Sequence, residues 1–193
     1  MRGSPFLLLA AAAVTLCGGG QGTKHIKVPR FEDYPIGEIF KSAPAAPILA
    51  TKEERYYRTV IRQGVNKGWG VEDGSTGHEK VGGGPNFAGR YFIITWGCGS
   101  PCLMAAIVDA RSGRVFPPPF HHGPGDSYFQ VPWAFSEKAL GYRLGSRLLI
   151  ANICETTTEN HSGGRISYQS QRCGPHYFVM GEDGLSLIYR ILQ

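Results

Sequence analysis

Residues 84–115, GPNFAGRYFIITWGCGSPCLMAAIVDARSGRV, constrain the fold more than any other stretch of the chain. Tyr91 to Trp96 and Leu103 to Val108 are runs rich in aromatic and β-branched residues, and the turn-forming CGSPC separates them. Such side chains favour pleated backbone, so the stretch predicts a β-hairpin with Cys98 and Cys102 on either side of its tip. After Asp109, the Ala-Arg-Ser-Gly sequence predicts a second turn and Arg114 to Phe116 a third strand, which makes a meander.

Upstream, Arg2 precedes an apolar run from Phe6 to Leu16, then Cys17 and three glycines. This is the layout of a secretory signal peptide, with cleavage near Gly20, and the run is too short to span a bilayer. Lipid attachment at Cys17 is less favoured, because Leu16 stands where a small residue normally precedes a lipidated cysteine. The remaining length suits one domain with a sizeable core. Of the formal net charge of +5, Arg2 leaves with the signal, and the balance is too weakly basic to argue for nucleic acid. No later segment is apolar enough over a sufficient length to be a membrane span.

Removal of Cys17 leaves Cys98, Cys102, Cys154 and Cys173, an even set in a chain bound for an oxidising compartment. The expected pairs are Cys98–Cys102 across the hairpin tip and Cys154–Cys173 across a polar loop. On the chain-entropy account the first is worth roughly 2 kcal/mol and the second about 3 kcal/mol. A zinc site is disfavoured because the spacings C-x3-C and C-x18-C lack paired C-x2-C knuckles.

The rest of the chain divides into an extended N-terminal segment, 21–50, and a disulfide-stapled domain, 51–193. The first carries Pro29, Pro35, Pro44 and Pro47, which favour non-helical chain laid over a surface. Thr51 with Glu54 makes a capping box, and Tyr56/Val60 and Tyr57/Ile61 are i, i+4 pairs. With Gly64 as the stop, the sequence predicts one amphipathic helix from Lys52 to Gln63. Val65 to Gly84 holds seven glycines without periodicity and reads as a surface loop. Three consecutive prolines from Pro117 end the third strand. A long aromatic connection follows, and then a central strand over Arg147 to Ile153. Glu155 to Arg172 is polar and reads as a loop. A last hairpin joins Tyr177 to Met180 with Leu185 to Ile191, with Leu185, Leu187, Tyr189 and Ile191 on one buried face.

Several of these stretches together, RTVIRQG at 58–64, GPNFAGRYFIITWGCGSPC at 84–102, IVDARSGRVF at 107–116 and the terminal CGPHYFVM–DG–L hairpin, carry a wider pattern. The chain resembles a family of exported bacterial proteins with a GPNFAGxYxxxxWGCGxxC signature, a resemblance that implies export but brings no activity with it. It departs from that pattern in an insertion from about Lys67 to Gly83, and in Arg90, which stands where FAGHY would place a histidine. The second difference weakens a catalytic role at that position.

Candidates for chemistry are scattered. Cys98-Gly-Ser-Pro-Cys102 lacks the C-x-x-C spacing and the following helix that lower a thiol pKa in oxidoreductases, so it reads as a staple. His121, His122 and Asp126 invite a metal or an acid–base role, but adjacent histidines in extended chain point to opposite sides. No G-x-S-x-G elbow, Walker loop or dinucleotide fingerprint is present. Arg55, Arg58 and Arg62 lie at i, i+3, i+7 and share one helix face, suited either to covering apolar surface with their stems or to docking carboxylate and phosphate groups. With the aromatic connection, the candidate ligand-binding residues are Arg55, Arg58, Arg62, His121, His122, Asp126 and Trp133.

The expectation is a mainly β (α+β) domain, an antiparallel meander forming a sandwich or small barrel with one amphipathic helix packed on it. Its expected role is that of a periplasmic or secreted, non-enzymatic binding protein, inhibitor- or immunity-like, that recognises a protein or envelope component without a cofactor or metal. The alternative is an exported hydrolase using His121, Asp126 or Glu155 as acid or base.

Overall fold

The structure, a computed structural model, describes residues 27–67, 83–99, 102–120, 130–131, 139–160 and 167–192. The segment expected to be a signal peptide, Trp69 and most of the glycine-rich stretch lie outside the described residues.

The central hairpin forms as its sequence predicts. Strand β1 (Tyr91–Gly99) pairs antiparallel with β2 (Cys102–Asp109), in register from Tyr91↔Asp109 to Gly97↔Leu103. Two short strands, β3 (Val115–Phe116) and β4 (Gln130–Val131), each add to β2. A second antiparallel sheet holds β5 (Leu140–Gly141), β6 (Leu148–Asn160), β7 (Ser167–Met180) and β8 (Leu185–Arg190) in that order.

Alternation along β1 and β2 sends both of their faces into apolar surroundings. Tyr91, Ile93, Leu103, Ala105 and Ile107 share one cluster with Leu149, Ala151, Ile153, Phe178 and Met180 of the second sheet. The two sheets therefore face each other across a common core. Among the described residues no strand pairing joins them, so they stack as a sandwich and do not close into a barrel. Phe92, Ile94, Trp96, Met104, Ala106 and Val108 point the other way, against Ile61 and Val65 of the helical layer. Each fully buried side chain of this kind contributes about 1.5–3 kcal/mol relative to exposure.

The helical layer differs from the expected single helix. It is split at Tyr57 into α1 (Lys52–Tyr56) and α2 (Arg58–Lys67). The capping box is present: Thr51 Oγ1 accepts from Glu54 N at 3.1 Å, and Glu54 Oε2 accepts from Thr51 N at 3.0 Å. Tyr57, Ile61 and Val65 form the inward stripe, with the Tyr57 ring 5.3 Å from Trp96, whereas Tyr56 is 75 % exposed. Gly64 does not stop the helix. It lies inside α2 against β1, where an added Cβ would come within 2.5–2.8 Å of three Ile94 side-chain atoms. Val65, assigned to a loop by composition, is buried in the same contact.

Two further expectations are corrected. Glu155 to Arg172 is not a loop as a whole: β6 and β7 continue in paired register from Glu155↔Arg172 to Asn160↔Ser167. In β8, Leu187 is 49 % exposed and Leu185, Leu187, Tyr189 and Ile191 do not share a buried face. A bulge between Tyr177↔Tyr189 and Phe178↔Leu187 inserts Ile188, which breaks the alternation on an edge strand.

Residues 27–50 run along one end of the stack, largely extended apart from a single 3-10 turn at Phe31–Asp33. Backbone hydrogen bonds fasten them there: Phe40 N to Gly89 O, Ala45 N to Ala110 O and Ile48 N to Gly113 O, each at 2.8 Å. Gly89 and Gly113 sit at positive φ, 76° and 74°, and the segment passes so close that a Cβ would strike the Glu38 and Ala46 carbonyls.

Candidate functional site

The strapped end of the sandwich holds an open groove of about 1100 Å³. One wall is the N-terminal segment from Pro35 to Ser42. The others are the start of β1 with Arg90 and Tyr91, the β2–β3 turn with Arg111, and Arg147 with the β7–β8 turn at Met180 to Glu182. Backbone bonds set these pieces side by side. Ala110 N donates to Arg90 O at 2.9 Å, Met180 N to Arg147 O at 2.9 Å, and Arg147 N to Tyr34 O at 2.8 Å.

Arg90 is the best-held polar group of the groove. Its Nη2 donates to the Tyr91 hydroxyl at 2.7 Å and lies 3.5 Å from Asp109 Oδ2, while the guanidinium sits 5.0 Å from the Tyr91 ring centre. Asp109 is buried and accepts from Arg111 N through its other oxygen at 2.9 Å. Arg90 Nε, by contrast, is buried with no hydrogen-bond partner.

Lys41, Arg111 and Arg147 also line the groove, and all three are exposed. None has a carboxylate within 4.0 Å among the described residues, whereas Lys27 pairs with Asp33 and Arg143 with Glu32, each within 2.9 Å. Two carboxylates, Glu38 and Glu182, line the same groove. Chemically this arrangement suits an anion held by charge-assisted hydrogen bonds. Among the described residues no group of three His, Cys, Asp or Glu could hold a metal ion.

The residues singled out from sequence fare differently. Arg55, Arg58 and Arg62 are exposed, with Arg55 on α1 and the other two on α2. Arg55 Nη1 is turned onto the Ala50 carbonyl at 2.7 Å and Arg58 Nη1 onto the Arg55 carbonyl at 3.2 Å, so both guanidinium groups tie down local backbone. His121, His122, Asp126 and Trp133 lie outside the described residues, and of Glu155 only the backbone pairing with Arg172 is described. Cys154 and Cys173 are joined as expected, directly across the β6–β7 ladder. Cys98 is also disulfide-bonded. The side chain of Cys102, its expected partner, lies outside the described residues.

Sequence reasoning missed the groove because Lys41, Arg90, Arg111 and Arg147 share no motif and no element. The signals that could have found it were Arg90 in place of the FAGHY histidine and an arginine at the tip of the ARSG turn. No known protein family, curated protein or solved structure matches the chain.

Proposed function

We propose that the chain is an exported, non-enzymatic binding module that recognises a protein or envelope component through the groove at the strapped end of the sandwich, and that it belongs with the exported bacterial proteins whose signature it resembles. The observation that carries the reading is the set of groove-lining cations that have no carboxylate partner among the described residues, beside a clamped Arg90. Cross-strand disulfide chemistry supports placement in the periplasm or outside the cell, where such bonds persist. Among the described residues no helix is long and apolar enough to cross a membrane.

The test places a photo-crosslinking side chain at Gly37, a groove position where an added Cβ would meet nothing within 4 Å, and a control at Gly97, equally open but next to the hairpin tip. In an envelope extract the Gly37 probe is expected to capture a discrete species that the Gly97 probe does not. The purified species should bind the wild-type chain and lose binding to Gly37→Trp, which fills the groove. Equal labelling from both positions, or binding indifferent to Gly37→Trp, would refute the reading.

A further inference from the structure

We infer that the groove's ligand presents a phosphate-type oxyanion, seated on Arg90 and gathered by Arg111 and Arg147; this rests on the binding reading above. Arg90 is already immobilised by the Tyr91 hydroxyl, the Tyr91 ring and Asp109, so the entropy of ordering its side chain is spent before any ligand arrives. Its Nε–H is the group that this clamp leaves over, buried and without an acceptor. That atom is itself buried, so what Arg90 offers a ligand is the remainder of its side chain, about 30 % exposed and lining the groove. A guanidinium edge fits two oxygens of one oxyanion in a fork, which an ammonium cannot do.

Charge selects among oxyanions. Asp109 already offsets Arg90, but among the described residues Lys41, Arg111 and Arg147 have no carboxylate partner, and Glu38 and Glu182 are the carboxylates that line the groove. A carboxylate brings a single charge and two acceptor oxygens. A phosphate monoester brings nearly two charges and three free oxygens, a better match than a carboxylate to a groove lined by several cations. The groove is open, so the phosphate can be the terminus of a larger molecule whose remainder stays in solvent.

The experiment is calorimetric titration of the full-length chain with inorganic phosphate at constant ionic strength, with acetate as the competing oxyanion. Saturable phosphate binding with much weaker acetate binding is expected. Arg90→Lys keeps the charge and removes the fork, and should weaken phosphate binding by about tenfold or more, the worth of one charge-assisted hydrogen bond. Should Arg90→Lys fail to fold because Asp109 loses its partner, the double variant Arg111→Gln/Arg147→Gln carries the test. Both of its positions are exposed, so its melting temperature should stay near wild type while phosphate affinity falls. Equal binding of acetate and phosphate, no saturation, or an unchanged phosphate affinity in the double variant overturns the inference. Vesicles containing phosphatidic acid locate the phosphate: recruitment that the double variant abolishes puts it on a lipid, and phosphate binding without recruitment puts it on a soluble ligand. If the crosslinked species still binds, is blocked by Gly37→Trp, and ignores both phosphate and the double variant, the oxyanion falls while the groove stands. If Gly37→Trp has no effect, the binding reading itself falls.

Discussion

Gly64 shows how one residue can carry opposite local and tertiary instructions. A glycine after an amphipathic run usually ends a helix, because it readily adopts the left-handed conformation of a C-terminal cap. Here it is buried within α2, and its missing side chain lets the helix approach Ile94 on β1. Ile94 is 1 % exposed and β-branched, so it has no room to turn aside. Gly64→Ala gains about 1 kcal/mol of helix propensity but overpacks the contact at about 1–3 kcal/mol. The expected net result is a loss of roughly 1 kcal/mol, or a melting temperature lower by about 2–4 °C at this chain length. Calorimetry of Gly64→Ala, Ile94→Ala and the pair checks this, since the double variant should cost less than the sum of the singles. A higher melting temperature for Gly64→Ala would show that propensity wins. The partner of Gly64 lies on another element, and for that reason no local pattern encodes it. The Thr51/Glu54 capping box was legible in the sequence because both of its members sit within one turn.

At the scale of elements, the legible parts were those whose pattern is periodic and apolar. The β1–β2 hairpin has two apolar runs around a turn, and it forms in near-continuous register. The β6–β7 ladder was only half legible: Leu148 to Ile153 is apolar, whereas residues 155–172 are polar and lack the alternation that a buried face imposes. Their pairing is held from below by Cys154–Cys173, beyond which β6 and β7 pair with each other and with no other described strand. A two-stranded ribbon of this kind is marginal by itself in water. Replacing both cysteines by serine is therefore expected to destabilise the protein by about 3 kcal/mol. Amide exchange should separate the effects, with protection falling first in Glu155–Asn160 and 167–172 and last in the core-facing Leu149–Ile153. Uniform loss of protection along β6 would mean that the ribbon is not an independent unit. The bulge at Ile188 was illegible for a different reason, because period-2 reading of β8 presumes unbroken pairing.

For the molecule as a whole, the layer order of helix, sheet and sheet follows from one sequence property, the apolar character of both faces of β1 and β2. What the sequence could not display is the groove, which exists only once the N-terminal segment, the β2–β3 turn and the β7–β8 turn meet at one end of the stack. The same stacking sets the response to alkali. Tyr142 packs edge-on to Phe87 at 6.3 Å beside the shared core, and burial raises its phenol above the ordinary value of 10.0. Tyr177 is raised as well, first by burial and then by the neighbouring Tyr189. For an acid whose folded pKa lies above its unfolded one, the unfolded chain binds fewer protons in the window between the two, so stability falls there as pH rises. The contribution of these phenols is fully present below pH 10.0 and is lost as pH climbs through the raised folded values. Urea midpoints measured from about pH 9 to about pH 11 for wild type and for Tyr142→Phe/Tyr177→Phe isolate the effect, because lysine and arginine titration is common to both. The variant should lose less stability across that window than wild type. Parallel curves would mean that both phenols ionise as freely in the folded protein as in the unfolded chain.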